Sequence, residues 1–302
     1  MTPALDAPSP DPESSLAALR GEIDAIDDAL HDLVMRRAAV VARMAASRLK
    51  GNASSLRPGR EAAILRRLLL RHAGPLPPAS LVRLWRELLS ASNAMQGAFS
   101  VAMPTGDTDV YKAARSRFGT MGEPRFEDGP DAALAALAGG RAQAAVLPVP
   151  SEDGAGAWWT GLDAPRLQVV ARLPFYAVSR VPQGIVVTRE GPDPSGDDRS
   201  LLRLEFDAGA AMPESGERAP PGAPPDDAAR KPLAAALRAA GLPARALLLT
   251  RQHACAYALA EVDGAVSADD PRLSALQGRL PLNRVQPLGF YATPIRPPDG
   301  GE

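Results

Sequence analysis

The chain has 302 residues, with 34 Lys+Arg against 35 Asp+Glu and a formal net charge of −1. That balance provides no overall field to draw in nucleic acid or an anionic membrane, so neither is expected as a partner. With 45% hydrophobic residues the chain can bury a real core, and its length suggests about two domains.

Cys255 is the only cysteine, which rules out an intrachain disulfide and a cysteine-built metal cluster. Residues 1–13, rich in Pro and Asp, are expected to be a disordered N-terminus. With no apolar run of about 18 residues in the sequence, neither secretion nor membrane insertion is expected and a cytoplasmic setting fits best.

From Leu16 onward, Leu19, Ile23, Ile26, Leu30, Leu33, Val40 and Met44 recur at three- and four-residue steps, the period of one helix face. This predicts a helix of roughly 35 residues, about 50 Å long. Two shorter helices cannot cover so long a stripe, so a partner chain is expected to do so. The second helix should start at Pro58 and end before Gly74. The third should run over 79–97 with Leu81, Leu84, Trp85, Leu88 and Leu89 inward.

Beyond Phe99 short apolar runs alternate with helical segments, predicting mixed α and β structure with strands at 99–103, 144–147, 167–171 and 184–187. Residues 191–199 read as a linker. A final unit follows in the order βαββαβ, the split arrangement of ferredoxin-like sandwiches. Its elements are strand 201–206, helix 232–240, strands 246–250 and 254–262, helix 271–276 and strand 285–291. A Pro- and Ala-rich insertion, 207–230, is expected to be disordered.

Arg37 stands where the first helix's pattern calls for an apolar residue, and Arg48, eleven residues on, lies about three turns away on nearly the same face. An arginine on a core face more often covers apolar neighbours and reaches water than binds a ligand. Two on one face, with Ser92 and Gln96 four apart on the third helix, favour a polar site. Arg20 and Arg37 are about 25 Å apart along one helix. They cannot grip one small molecule from the same chain, but two antiparallel copies could bring Arg20 of one to Arg37 and Arg48 of the other.

Taken together, Leu16-Ala17-Ala18-Leu19-Arg20, Leu33-Val34 with Arg37, Arg48, Arg57-Pro58-Gly59-Arg60-Glu61, and Ser92 with Gln96 resemble the pattern of the all-helical (type II) chorismate mutases over residues 14–98. The resemblance implies an intertwined homodimer of three-helix subunits with two shared sites. It also implies conversion of chorismate to prephenate in aromatic amino-acid biosynthesis, with no cofactor and no metal. Arg20, Arg37, Arg60 and Ser92 would bind the substrate, Arg48 and Gln96 would donate to the ether oxygen, and Glu61 would accept from the ring hydroxyl. Two departures stand out, Arg48 where many members have Lys and Arg57 where some have an acid.

The remainder resembles a degenerate first lobe of prephenate dehydratase over 99–190 and an ACT-type domain over 200–294, closing on Leu288-Gly289-Phe290-Tyr291. The dehydratase Thr-Arg-Phe triplet has only imperfect echoes in Thr188-Arg189-Glu190 and Ser116-Arg117-Phe118. The expected class is therefore α plus α/β multidomain, with a helical mutase domain, a mixed lobe and a ferredoxin-like unit. The alternatives are a bifunctional mutase/dehydratase and a catalytically silent dimeric binding protein.

Overall fold

The computed structural model describes residues 12–47, 56–119, 122–152, 154–176, 181–206, 227–252 and 255–296. Its contacts separate two compact units, Met1–Ala53 and Ser54–Glu302. Of the expected disordered regions, residues 1–11 and 207–226 lie outside the described residues.

Within the first unit the described chain is helix α1, Pro12–Ser47. The predicted stripe of Leu16, Leu19, Ile23, Ile26, Leu30, Leu33, Val40 and Met44 lies along it, each side chain between 45% and 57% exposed. Burying such a side chain is worth on the order of 1.5–3 kcal/mol, so this face retains a large unsatisfied drive to be covered.

Helices α2 (Pro58–Arg71) and α3 (Pro78–Ala94) belong by their contacts to the second unit. Leu65 and Ala62 of α2 and Val82 of α3 share a small core with Phe175, and burial there fixes both helices to the mixed α/β body. Leu84, expected inward, is 55% exposed. The buried face of α3 is instead set by Leu81, Val82, Leu89, Ser90, Ser92 and Asn93.

That body is built on one nine-stranded sheet. Its strands are β1 (Ser100–Pro104), β2 (Glu123–Glu127), β3 (Ala144–Leu147), β4 (Gln168–Leu173), β5 (Gly184–Thr188), β6 (Asp198–Phe206), β7 (Ala244–Gln252), β8 (Cys255–Asp263) and β9 (Leu282–Ala292). They lie in the order β2-β1-β3-β5-β4-β9-β6-β8-β7. Along β1, Val101 and Met103 meet helix α4 (Thr108–Phe118), whereas Ala102 faces α5 (Gly129–Ala138). The two-residue period therefore places each side chain against one of two covering helices. On the α5 side, Trp158 and Trp159 of the 3-10 segment Gly154–Gly161 complete the core.

β6, α6 (Asp227–Ala239), β7, β8, α7 (Pro271–Gln277) and β9 follow the βαββαβ element order, with antiparallel neighbours β9-β6-β8-β7. Leu202, Leu204 and Phe206 alternate onto Leu233, Leu237, Leu273 and Leu276 of the two helices. This unit is not a separate lobe, because β9 joins β4 in parallel at Val169 and Gly289. Gly289 has φ +122°, and a Cβ there would overlap the Val169 backbone, so the seam requires glycine.

Other expectations also shift. Residues 227–230 of the expected insertion are helical, with Ala229 buried and Arg230 donating to the Leu247 carbonyl at 2.6 Å. The sequence does not predict strand β2, because Glu-Pro-Arg-Phe-Glu is short, charged and carries a proline and lies on the sheet edge, almost wholly exposed. No described helix is long and apolar enough to cross a membrane.

Candidate functional site

The start of α2 is organised by a residue far along the chain. Asp193 accepts from the backbone nitrogens of Gly59 at 2.9 Å and Arg60 at 3.0 Å, and from Arg57 Nε at 3.2 Å. It thereby satisfies orphan donors of a helix whose N-cap residue, Arg57, provides no side-chain cap of its own. Arg66 reaches the same segment, donating to Ser195 Oγ at 2.8 Å and to the carbonyls of Asp197 at 2.8 Å and Thr293 at 3.0 Å. Residues 191–199 are consequently a packed bracket rather than a linker, and their spacing-poor polar sequence conceals that because its partners are tertiary.

One residue after Arg60, which is exposed, Glu61 is 4% exposed. Its Oε2 lies 2.7 Å from Arg117 Nη2 and 3.1 Å from Arg86 Nη1, and its Oε1 accepts from Asn93 Nδ2 at 3.3 Å. Two guanidinium groups therefore share one carboxylate. A carboxylate has about four lone-pair sites, so one remains on Oε1 for a further donor. Burial, with Arg117 alongside, pulls Arg86 down to about 9 although Glu61 opposes the shift.

Ser92 is buried and donates to the Leu88 carbonyl at 2.6 Å, one turn earlier on α3. Gln96, half-buried just past the end of α3, donates to the Ser92 carbonyl at 2.9 Å. Glu61 and Asn93 meet directly, and Asn93 adjoins Ser92, so α2 and α3 bring an acid, an amide and a hydroxyl to one interior. On α1, within its own unit, Arg20 is exposed and Arg37 half-buried. Arg48 lies outside the described residues.

Sequence reasoning missed Arg86, Asn93 and the use of Arg117. Arg86 and Asn93 are seven residues apart on α3, two turns on one face, a signal obscured by the apolar pattern around them. Arg117 drew notice only through Ser116-Arg117-Phe118. Its carboxylate partner is 56 positions away, and no local pattern announces that pairing.

Residues 19–97 match the family model for chorismate mutase type II. A bifunctional chorismate mutase/prephenate dehydratase from Neisseria gonorrhoeae is 37% identical over 115 residues, which is 36% of this chain and 31% of the relative. The match thus spans about a third of the relative's length. Among solved structures, a prephenate dehydratase from Arthrobacter aurescens in complex with L-Phe aligns with a TM-score of 0.42 and 13% identity, over 64% of this chain and 89% of that one. GqqA, described as a novel type of quorum quenching acylase, aligns with a TM-score of 0.45 and 19% identity, over 65% and 96%. The N-terminal part of this chain, residues 19–97, is therefore similar to chorismate mutase type II on the sequence of α1, α2 and α3.

Proposed function

We propose that the protein converts chorismate to prephenate. What carries this reading is the family match over residues 19–97, a span that retains Arg20, Arg37, Arg60, Glu61, Ser92 and Gln96. The rearrangement is unimolecular, breaking one C–O bond as a C–C bond forms. The protein must hold the compact conformer and stabilise negative charge growing on the ether oxygen.

Planar guanidinium groups suit the two carboxylates of chorismate. Arg20 of one subunit and Arg37 of the other are assigned to them, with Arg60 and Ser92 as further contacts. Arg48 and the Gln96 amide donate to the ether oxygen, and the remaining lone pair of Glu61 accepts from the ring hydroxyl. A homodimer supports the shared arrangement, since the apolar stripe of α1 is exposed on both sides of Arg37 and a second copy offers the same face.

A second reading, that the chain also dehydrates prephenate, is favoured by the bifunctional relative. Against it, the Thr188 hydroxyl is committed to the Glu190 carbonyl at 2.6 Å, closing the turn after β5. The test is full-length protein with chorismate, following prephenate and phenylpyruvate together. Prephenate alone is the expected product. Phenylpyruvate as well would establish the second reading, and neither product would leave a dimeric binding protein. Mixing Arg20→Ala chains with Arg37→Ala chains should restore one intact site in two, and no recovery would contradict sharing.

A further inference from the structure

Between α3, α4 and the segment after β4 lies a cavity of about 480 Å³, within the range of small-molecule sites. Its charge is one-sided. Among the described residues, Arg83, Arg86, Lys112, Arg115 and Arg117 line it against the single acid Glu87. Val82, Ala113, Leu173 and Phe175 supply apolar wall.

The two deepest cations are poorly compensated. Arg117 is 3% exposed, and Arg86 has a side chain 11% exposed. Both lean on the one carboxylate of Glu61. Arg117 Nη1 is buried without a hydrogen-bond acceptor among the described residues. An uncompensated buried cation costs several kcal/mol, and a ligand carboxylate would supply the missing charge and acceptors. Arg86 also lies with its guanidinium carbon 5.6 Å from the centre of the Phe175 ring, so cationic and apolar surfaces adjoin within one cavity.

We propose that this cavity binds a compact organic anion, one or two carboxylates carried on a small ring. Arg86 and Arg117 hold the carboxylate, Phe175 and its apolar neighbours take the ring, and the more exposed Arg83 and Arg115 complete the cationic surface. Arg20, Arg37, Arg60, Ser92 and Gln96, assigned above to the mutase reaction, do not line the cavity, and Glu61 touches it only from behind, as the common anchor of Arg86 and Arg117.

The experiment is calorimetric titration of the full chain with 3-phenylpropanoate, benzyl alcohol and inorganic phosphate as probes. Saturable binding of 3-phenylpropanoate is expected, with the alcohol and phosphate much weaker. Glu87→Gln should tighten binding several-fold by removing the one acid among the described lining residues, and the Arg83→Ala/Arg115→Ala double variant should weaken it roughly tenfold. Arg37→Ala should leave it unchanged. No saturation up to about 10 mM, phosphate binding as well as the aromatic acid, or indifference to both the Glu87 and the double substitution would overturn the proposal. Loss in Arg37→Ala alone would place the probe elsewhere and overturn it too. Prephenate formation by the double variant should match the parent. A protein without turnover that still binds the probe would refute the mutase reading and leave this site standing.

Discussion

Glu61 carries more than one interaction, and its substitutions separate them. With Arg86 and Arg117 both resting on its carboxylate, Glu61→Gln strands two buried cations. Breaking a buried pair this way costs about 3–5 kcal/mol, a fall of roughly 10 °C in the unfolding midpoint for a domain of this size. Glu61→Asp, which keeps the charge, should lose much less in the same thermal melt, and equal losses would show that packing rather than charge holds the cluster. Gln96 offers a chemical test instead. Its amide donates without titrating, whereas Gln96→Glu can donate only when protonated. Turnover of that variant should rise as pH falls while the parent stays nearly flat between about pH 6 and 8. A variant that tracked the parent would remove Gln96 from the ether oxygen.

At the scale of elements, two devices hold the sheet unit together. The first is the seam at Gly289, where any side chain would meet the Val169 backbone and φ is +122°. Gly289→Val should therefore cost about 3 kcal/mol or more through overlap and left-handed strain, readable as a lower denaturant midpoint. An unchanged midpoint would mean that β4 and β9 separate freely. The second is the cap of α7. Asp270 accepts from Arg272 N and Arg272 Nε, both at 2.9 Å, and the Arg272 side chain holds its pKa below the ordinary 3.8. A depressed folded value means that this stabilisation is present above the ordinary value and is lost as pH falls through the lower folded one. Asp270→Asn keeps the cap geometry without the charge, so its stability should decline less below about pH 4 than the parent's. Parallel acid limbs would exclude that linkage.

At the scale of the whole molecule, the exposed stripe of α1 is an unmet demand among the described residues. Eight apolar side chains along one 36-residue helix are each near half exposed, and a contiguous face of that kind marks an interface rather than a solvent surface. On the proposed homodimer, replacing Ile26 and Leu33 together with Asp should give a monomer by light scattering. It should also abolish prephenate formation, because the proposed site needs Arg20 of one chain and Arg37 of the other on one substrate. A monomer with full activity would show that each chain builds its own site.

The sequence by itself determined whatever rests on local periodicity. The long helix, Pro58 as the start of α2, the buried runs of β3 and β5 and the βαββαβ order all follow from spacing, because helix and strand periods are properties of neighbouring residues. Arg20, Arg37, Arg60, Glu61, Ser92 and Gln96 were singled out together by the resemblance to the mutase family, and their roles belong to the proposal. Tertiary structure alone decided that Asp193 caps α2, that α2 and α3 belong with the mixed body, and that two arginines occupy Glu61. Those outcomes depend on charges and caps satisfied across more than a hundred positions in the case of Asp193 and across 56 in the case of Arg117. A buried ion or an orphan amide accepts any partner that reaches it, whatever its distance in sequence, so local pattern cannot name that partner.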